Sequence, residues 1–253
     1  MGLVSDLWRM AEKRSGEFDA QALDYDKYRP RYPEPVFDEI VSLADLAPGA
    51  HVLEVGAGTG IATVPLVHRG LDVTAIEPAP AMADVLDSKI PERVRIIVSR
   101  FEDYSPEYPM SLLASFNAWH WIKPSMAVER TVASLEPGGW LAFVWTEVLS
   151  WGQGRFEERL AETFGEPWPK RLGLVDGSMQ SNRKDQRFGD FQVFHHPFER
   201  TLDAQTFVSV TKTYGGNRTS EQYQAIERII NREFDGTITK VEDAVLYLAR
   251  LNG

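Results

Sequence analysis

The stretch "HVLEVGAGTG", His51 to Gly60, is an apolar run that ends in three glycines at alternate positions. A short apolar run of this kind, ending in a turn, reads as a strand. The residues after it, "IATVPLVHRG", read as a helix: Pro65 sits early, where its missing donor is cheap, and Gly70 ends it. Glycines between a strand and a helix let a backbone crowd against a ligand. The remaining sequence must say which ligand.

Outward from this unit the pattern repeats. "DVTAIEP" reads as a second buried strand, "AMADVLDSKI" as a helix, and "VRIIVSR" and "MSLLASF" as third and fourth strands. "MAVERTVASL" reads as a helix stopped at "EPGG", and "WLAFVW" as a fifth strand. Strands alternating with helices predict an α/β fold with a doubly wound, mostly parallel sheet. Residues 3–14 read as an amphipathic helix, followed by "YDKYRPRYP", whose X-Pro steps cannot be helical throughout. After Thr146 the pattern loosens, and residues 150–190 read as an inserted cap. "FQVFHHPFERTL", "SEQYQAIERIINREF" and "GTITKVEDAVLYLAR" then read as strand, helix, strand. The expected organisation is one domain: a lid segment over 1–35, a core over 36–149, the cap over 150–190, and strands and helix completing the sheet over 191–253.

The 253 residues suffice for one large domain, and 43% hydrophobic with 25% charged residues is ordinary for a globular protein. With no cysteine, disulfides, thiolate nucleophiles and cysteine metal sites are excluded. A net charge of −10 repels phosphate backbones, so nucleic acid is not an expected partner. The charged N-terminus does not read as a secretory signal, and no apolar run approaches the roughly 20 residues that span a bilayer. A cytoplasmic protein, monomer or homodimer, with no membrane partner, is the expectation.

The loop order Gly56, Gly58, Gly60 is G-x-G-x-G. Ile61 stands where a dinucleotide fingerprint has its third glycine, and no Lys-Ser or Lys-Thr pair follows to make a P-loop. A strand carrying Glu54 and running into G-x-G-x-G instead resembles the first motif of the class I S-adenosylmethionine-dependent methyltransferases. Glu77, 17 residues past Gly60 and followed by Pro78, ends the second strand. "RFEDY", "AWHW" and "LEPGGW" at the next strand ends resemble further motifs of the family, as does "YDKYRPRYP" before its core. The resemblance is strongest from Tyr25 to Trp145.

The resemblance implies a seven-stranded Rossmann-like sheet whose last strand is antiparallel. It implies S-adenosylmethionine as cofactor, with S-adenosylhomocysteine as product, and a small-molecule acceptor. Gly56, Ala57, Gly58 and Gly60 would admit the cofactor, with Glu54 beside them. A carboxylate has two acceptor oxygens, so Glu77 would hold both ribose hydroxyls, with Pro78 and Met82 nearby. Phe101 and Glu102 would flank adenine, and Asn117 the reacting end; Tyr25, Tyr28, Arg29 and Arg31 form a polar-aromatic cluster that reads either as a flap over the cofactor, with an Arg or Tyr (Tyr28 and Arg31 being the candidates) on the methionine carboxylate, or as surface structure of a proline-rich turn. The chain departs from the family at Arg100, often acidic there, and at Met110, often Asp. Arg cannot accept the adenine amino hydrogen bond, which leaves that role to Glu102 or to backbone.

For the acceptor, Tyr25, Trp119, Trp121 and Trp145 are the candidate walls, and they suit an apolar or aromatic molecule. His120, past the fourth strand at the carboxyl edge where open α/β sheets bind ligands, is the candidate general base. The alternative is that His120 merely packs between Trp119 and Trp121. No metal is expected: His51 opens a strand at the wrong edge, His68 lies on a helix, and His195 and His196, adjacent on a strand, point to opposite faces. Two other readings stay open. One is an enzyme of this fold that binds the cofactor but catalyses a non-methylating reaction such as cyclisation. The other is a nicotinamide-dependent oxidoreductase, against which Ile61 speaks. A nucleic-acid methyltransferase would need an N-P-P-Y-like tetrad where this chain has "NAWH".

Overall fold

The computed structural model describes residues 19–90, 94–151, 155–165, 177–214 and 218–253. The helix expected over 3–14, and Trp168 of the expected cap, lie outside the described residues.

A helix over residues 19–28 (α1) and α2 (Glu34–Leu43) precede the sheet. The core follows as β1 (His51–Val55), α3 (Thr63–His68), β2 (Asp72–Ile76), α4 (Pro80–Lys89), β3 (Val94–Ile97), β4 (Met110–Phe116), α5 (Pro124–Ser134) and β5 (Leu135–Trp151). Then come α6 (Phe156–Phe164), α7 (Gly177–Lys184), β6 (Gln192–Asp203), α8 (Ala204–Thr213), α9 (Ser220–Glu233) and β7 (Thr237–Arg250). The seven strands lie in the order β3-β2-β1-β4-β5-β7-β6. β1 pairs in parallel with β2 and β4, while β7 runs antiparallel to both β5 and β6. This is the doubly wound sheet with an antiparallel last strand that the sequence predicts.

The apolar strand runs supply two opposed faces. Val52, Val73, Leu112, Ala142 and Leu246 face α2 and α3, where Phe37, Ile40 and Leu66 are buried. Leu53, Ile76, Leu113, Leu141 and Val245 face the other way, against Ala127 of α5 and Met179 of α7. Each fully buried aliphatic or aromatic side chain contributes roughly 1.5–3 kcal/mol. A one-residue slip of any strand would exchange the faces, so the register is firmly set.

α8 was not expected from the sequence, which reads only one helix between the last two strands. Its start is marked by Asp203, whose carboxylate accepts the Thr206 amide at 2.7 Å, a helix N-cap that offsets the weak helical preference of its β-branched residues. α6, α8 and α9 share an apolar cluster that includes Phe156, Leu160, Phe207, Ile226 and Ile230, packed on Trp151, Leu202 and Ile238 at the ends of β5, β6 and β7. The helical layer beyond the carboxyl edge is thus built from both sides of β6.

Gly56 joins β1 to the loop at φ +75°, and a Cβ there would collide with the Cβ of Ala118 after β4. Left-handed backbone costs a non-glycine residue roughly 1–2 kcal/mol, and overpacking about 1–3 kcal/mol more. Gly56→Ala should therefore lower unfolding free energy by about 2–4 kcal/mol in urea titration. Adding Ala118→Gly should restore the steric part and leave the backbone part; an additive double variant would refute this contact.

Candidate active site

The glycine loop is stitched to the end of the neighbouring strand. The amides of Gly56 and Ala57 both donate to the Ile76 carbonyl, at 2.8 and 3.0 Å. The three glycines do different work. A Cβ on Gly56 would strike Ala118 and one on Gly60 would strike Leu86 of α4, whereas one on Gly58 meets nothing within 4 Å. Two of them serve packing, and Gly58 alone borders open space. Ala57 is buried.

Glu77 follows β2 and faces the loop. Its Oε2 accepts the Gly58 amide and its Oε1 the Ala79 amide, each at 2.8 Å. Burial pushes its carboxyl up to about 7, against the pull of those two amides and with a further push from Asp19. Each carboxylate oxygen keeps a second lone pair, so two more donors can be received. Pro78 is exposed.

Glu54 is 1% exposed, and its Oε2 has no hydrogen-bond partner. Burial pushes it up to about 8; a Thr63 hydroxyl opposes this and the neighbouring Glu77 adds to it. An orphaned buried acid oxygen calls for a cationic or N–H donor. Glu54, Glu77 and Gly58 therefore fit a ligand with an ammonium group and vicinal hydroxyls.

α1 lies against the Glu77 side of this pair. Ala22 of α1 packs on Ala79 and Met82, with Tyr25 beside them. Burial pushes the phenols of Tyr25 and Tyr32 up; Arg29 opposes this in both, while Glu77 acts on Tyr25 and Glu54 on Tyr32. The Arg29 guanidinium sits over the rings of Tyr25 and Tyr214, at 4.6 and 3.9 Å, and donates to the Thr213 carbonyl at 2.9 Å. The two arginines of "YRPRYP" part company. Arg29 turns inward, while Arg31, expected at the methionine carboxylate, pairs with Asp26 at 3.2 Å. Tyr28 lies under the Lys27 ammonium, 4.8 Å from the ring centre. The sequence groups both arginines in one polar-aromatic cluster over the cofactor, and nothing local distinguishes two arginines around one proline.

The ends of β3, β4 and β5 carry the remaining candidates. Phe101 and Glu102 open a short 3₁₀ turn over Phe101–Asp103. Phe101 is buried with its ring 5.6 Å from Trp119, and Glu102 accepts the Lys123 amide at 2.9 Å, at the start of α5. Asn117, at φ +53°, donates to Tyr32 Oη at 2.9 Å and Thr146 Oγ1 at 3.0 Å and accepts the Thr146 amide at 2.8 Å. Its carboxamide is spent on joining α2's approach, β4 and β5. Trp119, fully buried against Phe101 and Phe143, is core beneath the site rather than a wall of it. His120 is half-buried, its ring 4.3 Å from that of Trp121 and 5.5 Å from that of Trp145. Trp145 donates its indole N–H to Met179 Sδ at 3.3 Å, which fixes one wall of this cluster.

The other histidines lie elsewhere. His195 Nδ1 is 2.6 Å from Asp243 and His196 Nε2 is 2.8 Å from Glu39, on opposite faces of β6. His51 pairs with Asp72 at 3.0 Å at the amino edge. Among the described residues no group of three or more His, Asp or Glu could hold a metal ion. No helix among them is long and apolar enough to cross a membrane.

A family model for the methyltransferase domain matches residues 53–143. An uncharacterized methyltransferase of Mycobacterium tuberculosis is 37% identical over 130 residues, which is 50% of this chain and 52% of that protein. An uncharacterized methyltransferase-like protein of Schizosaccharomyces pombe is 23% identical over 201 residues, 78% of this chain and 77% of that one. The chain spans about half the length of the first of these relatives. Among solved structures, a proposed type II methyltransferase from Anaeromyxobacter dehalogenans superposes with a TM-score of 0.60 at 20% identity, covering 89% of this chain and 100% of that one. A phosphoethanolamine N-methyltransferase of Haemonchus contortus, solved with phosphomonomethylethanolamine and S-adenosylhomocysteine, superposes at 0.53 with 14% identity, covering 93% and 58%. At these identities the structural likeness is one of fold. The matched sequence runs from β1 into β5, and with the strand order and acid-backed glycine loop just described, residues 53–143 are similar to the methyltransferase domain and the chain has the fold of solved methyltransferases.

Proposed function

We propose that this chain transfers a methyl group from S-adenosylmethionine to a small molecule with an apolar or aromatic body. The observation that carries the reading is the pairing of Glu77, with two free lone-pair positions, and Glu54, with an orphaned buried oxygen, on either side of Gly58. When bound, S-adenosylmethionine supplies a methyl group already activated on a sulfonium. Glu77 receives the two ribose hydroxyls, and Glu54 receives the ammonium of the methionine end. Arg29, rather than Arg31, faces the methionine carboxylate. Phe101 packs beside the adenine position. His120, Trp121 and Trp145 line the acceptor side, where aromatic faces attract a sulfonium by roughly 0.5–2 kcal/mol. His120 takes the acceptor's proton if the acceptor is a hydroxyl or an ammonium. α6 and α7, with α8 and α9, roof the acceptor, and holding donor and acceptor in line supplies the largest share of the rate, about 7–11 kcal/mol for well-oriented groups.

Calorimetric titration with S-adenosylhomocysteine tests the cofactor assignment. Glu77→Gln replaces one acceptor oxygen by an amide donor facing backbone N–H, so affinity should fall at least about 100-fold, as expected for losing hydrogen bonds to a charged group. Binding of NADH by the wild type, without binding of S-adenosylhomocysteine, would overturn the reading in favour of an oxidoreductase.

The acid pair also fixes a pH signature. Both folded-state values, about 7 and about 8, lie above the ordinary 4.5. The folded chain therefore holds more protons than the unfolded chain between about 4.5 and 8, and these groups make stability fall as pH rises through that window. Glu54→Gln should flatten the fall of the ligand-free melting temperature between pH 5.5 and 8.5. Cofactor affinity should run the other way, weakening as pH drops below about 7, because the ligand groups favour the ionised acids. A wild-type and a Glu54→Gln protein with parallel profiles would refute the raised value.

For His120, turnover of a methyl acceptor found by screening should fall about 10²–10⁴-fold in His120→Ala, the usual range for a lost general base. Unchanged turnover would leave the ring as packing between tryptophans.

A further inference from the structure

Among the described residues, the apolar contact of α1 is made by Ala22 and Tyr25 on Ala79 and Met82. Ala22 is its one fully buried apolar residue among those described, and Leu23 is 76% exposed. Its attachments are polar and follow helical spacing. Asp19, Ala22 and Asp26 form one face. Asp19 accepts the Ala81 amide at 2.8 Å at the start of α4. Asp26 Oδ1 accepts from Thr59 Oγ1 at 2.9 Å, from Arg31 Nη1 at 3.2 Å and from the Lys89 ammonium at the end of α4. Lys89 Nζ also donates to the Thr59 carbonyl at 2.6 Å. Thr59 is a buried residue of the glycine loop itself. On the neighbouring face Tyr25 and Arg29 look into the cleft, and Arg29 reaches α8 through the Thr213 carbonyl. No strand pairing involves α1, so it can lift while the sheet stays whole.

We infer that Asp26, Lys89 and Thr59 form a latch that holds α1 closed over the cofactor cleft and so positions Tyr25 and Arg29 on the bound cofactor. The inference rests on the proposal that the cleft takes S-adenosylmethionine. With α1 down, Tyr25 lies within electrostatic reach of Glu77, and Ala22 packs on Ala79, whose amide Glu77 holds, so a ligand held by Glu77 passes when α1 lifts. Lifting separates Asp26 from both Thr59 and Lys89 and leaves the glycine loop in place, because that loop is held independently by the Ile76 carbonyl and by Glu77. Burial pushes the Asp26 carboxyl up, but hydrogen bonds from Lys89, Arg31 and Thr59 outweigh this and hold it below the usual range. The latch is therefore ionised at neutral pH. These are positioning residues; none is proposed to touch the cofactor.

Stopped-flow kinetics of S-adenosylhomocysteine binding test this. A gate limits passage in both directions, so Lys89→Met and Asp26→Asn should each raise the dissociation rate about tenfold and raise the association rate as well. The double variant should add little to either single, and Lys89→Arg should stay close to wild type. The ligand-free melting temperature should change little. A faster dissociation with unchanged association would make these residues ordinary affinity contacts and overturn the latch, as would unchanged rates in both directions. If either charge variant fails to fold, Thr59→Val removes one hydroxyl bond alone and should raise both rates by a smaller factor; unchanged rates there would equally overturn it. Wild-type protein that does not bind S-adenosylhomocysteine at all would instead sink the cofactor assignment on which the latch rests.

Discussion

The carboxylate of Glu77 is the joint on which the site depends. β1 and β2 are held side by side by ordinary parallel pairing, but nothing in that ladder fixes the loop that leaves β1. Two interactions do: the Ile76 carbonyl takes the first loop amides, and Glu77 takes the Gly58 amide while its other oxygen takes Ala79 before α4. One side chain thereby sets the glycine loop and the entrance of the next helix in a single frame. The frame lies at the carboxyl edge beside β1, between β2 and β4, where chain direction around the sheet reverses and open α/β sheets bind their ligands.

The same edge carries a graded change in chemistry. The interiors of the central strands are mostly apolar, and several buried polar side chains gather at the carboxyl ends. Ser115 donates to the Val55 carbonyl at 2.9 Å, tying β4 to β1, and Asn117 ties β4 to β5 and to Tyr32. These two are satisfied and rigid. Glu54 and Glu77 are different: burial raises both, Glu77 adding to the rise of Glu54 and Asp19 to that of Glu77, and Glu54 keeps an oxygen unpaired. Acids held in that condition disfavour the empty fold and favour a ligand bearing a cation and hydroxyl donors. The site is thus complementary to its ligand at the expense of stability without it.

Parts of this were legible in the chain and parts were not, for reasons that differ from residue to residue. Glu54, the glycine loop and Glu77 could be read because strand, turn and next strand are short and contiguous, so spacing in sequence is nearly spacing in space. The glycines show the limit of that reading. All three pointed to a ligand, yet Gly56 and Gly60 are required by Ala118 and Leu86, residues 62 and 26 positions further along. Asn117 and Glu102 sit at the expected strand ends, but their polar groups are engaged by Tyr32, Thr146 and Lys123. Arg29 and Arg31 are indistinguishable by local pattern. Which of them turns inward depends on how α1 meets α8, a helix hidden behind β-branched residues and marked only by its Asp203 cap.

The sequence by itself determined the alternation of strands and helices, the sheet they make, and the acid-glycine-acid pattern at its edge, because periodicity and short turns act over a few residues. Only the tertiary structure decided which side chains are spent on holding elements together and which keep unused lone pairs or donors. That division depends on partners far apart in the chain: Gly56 with Ala118, Asn117 with Tyr32, Asp26 with Lys89, Arg29 with Thr213. A polar side chain's role is fixed by whether its hydrogen-bonding capacity is already filled, and that is known only once the chain has folded.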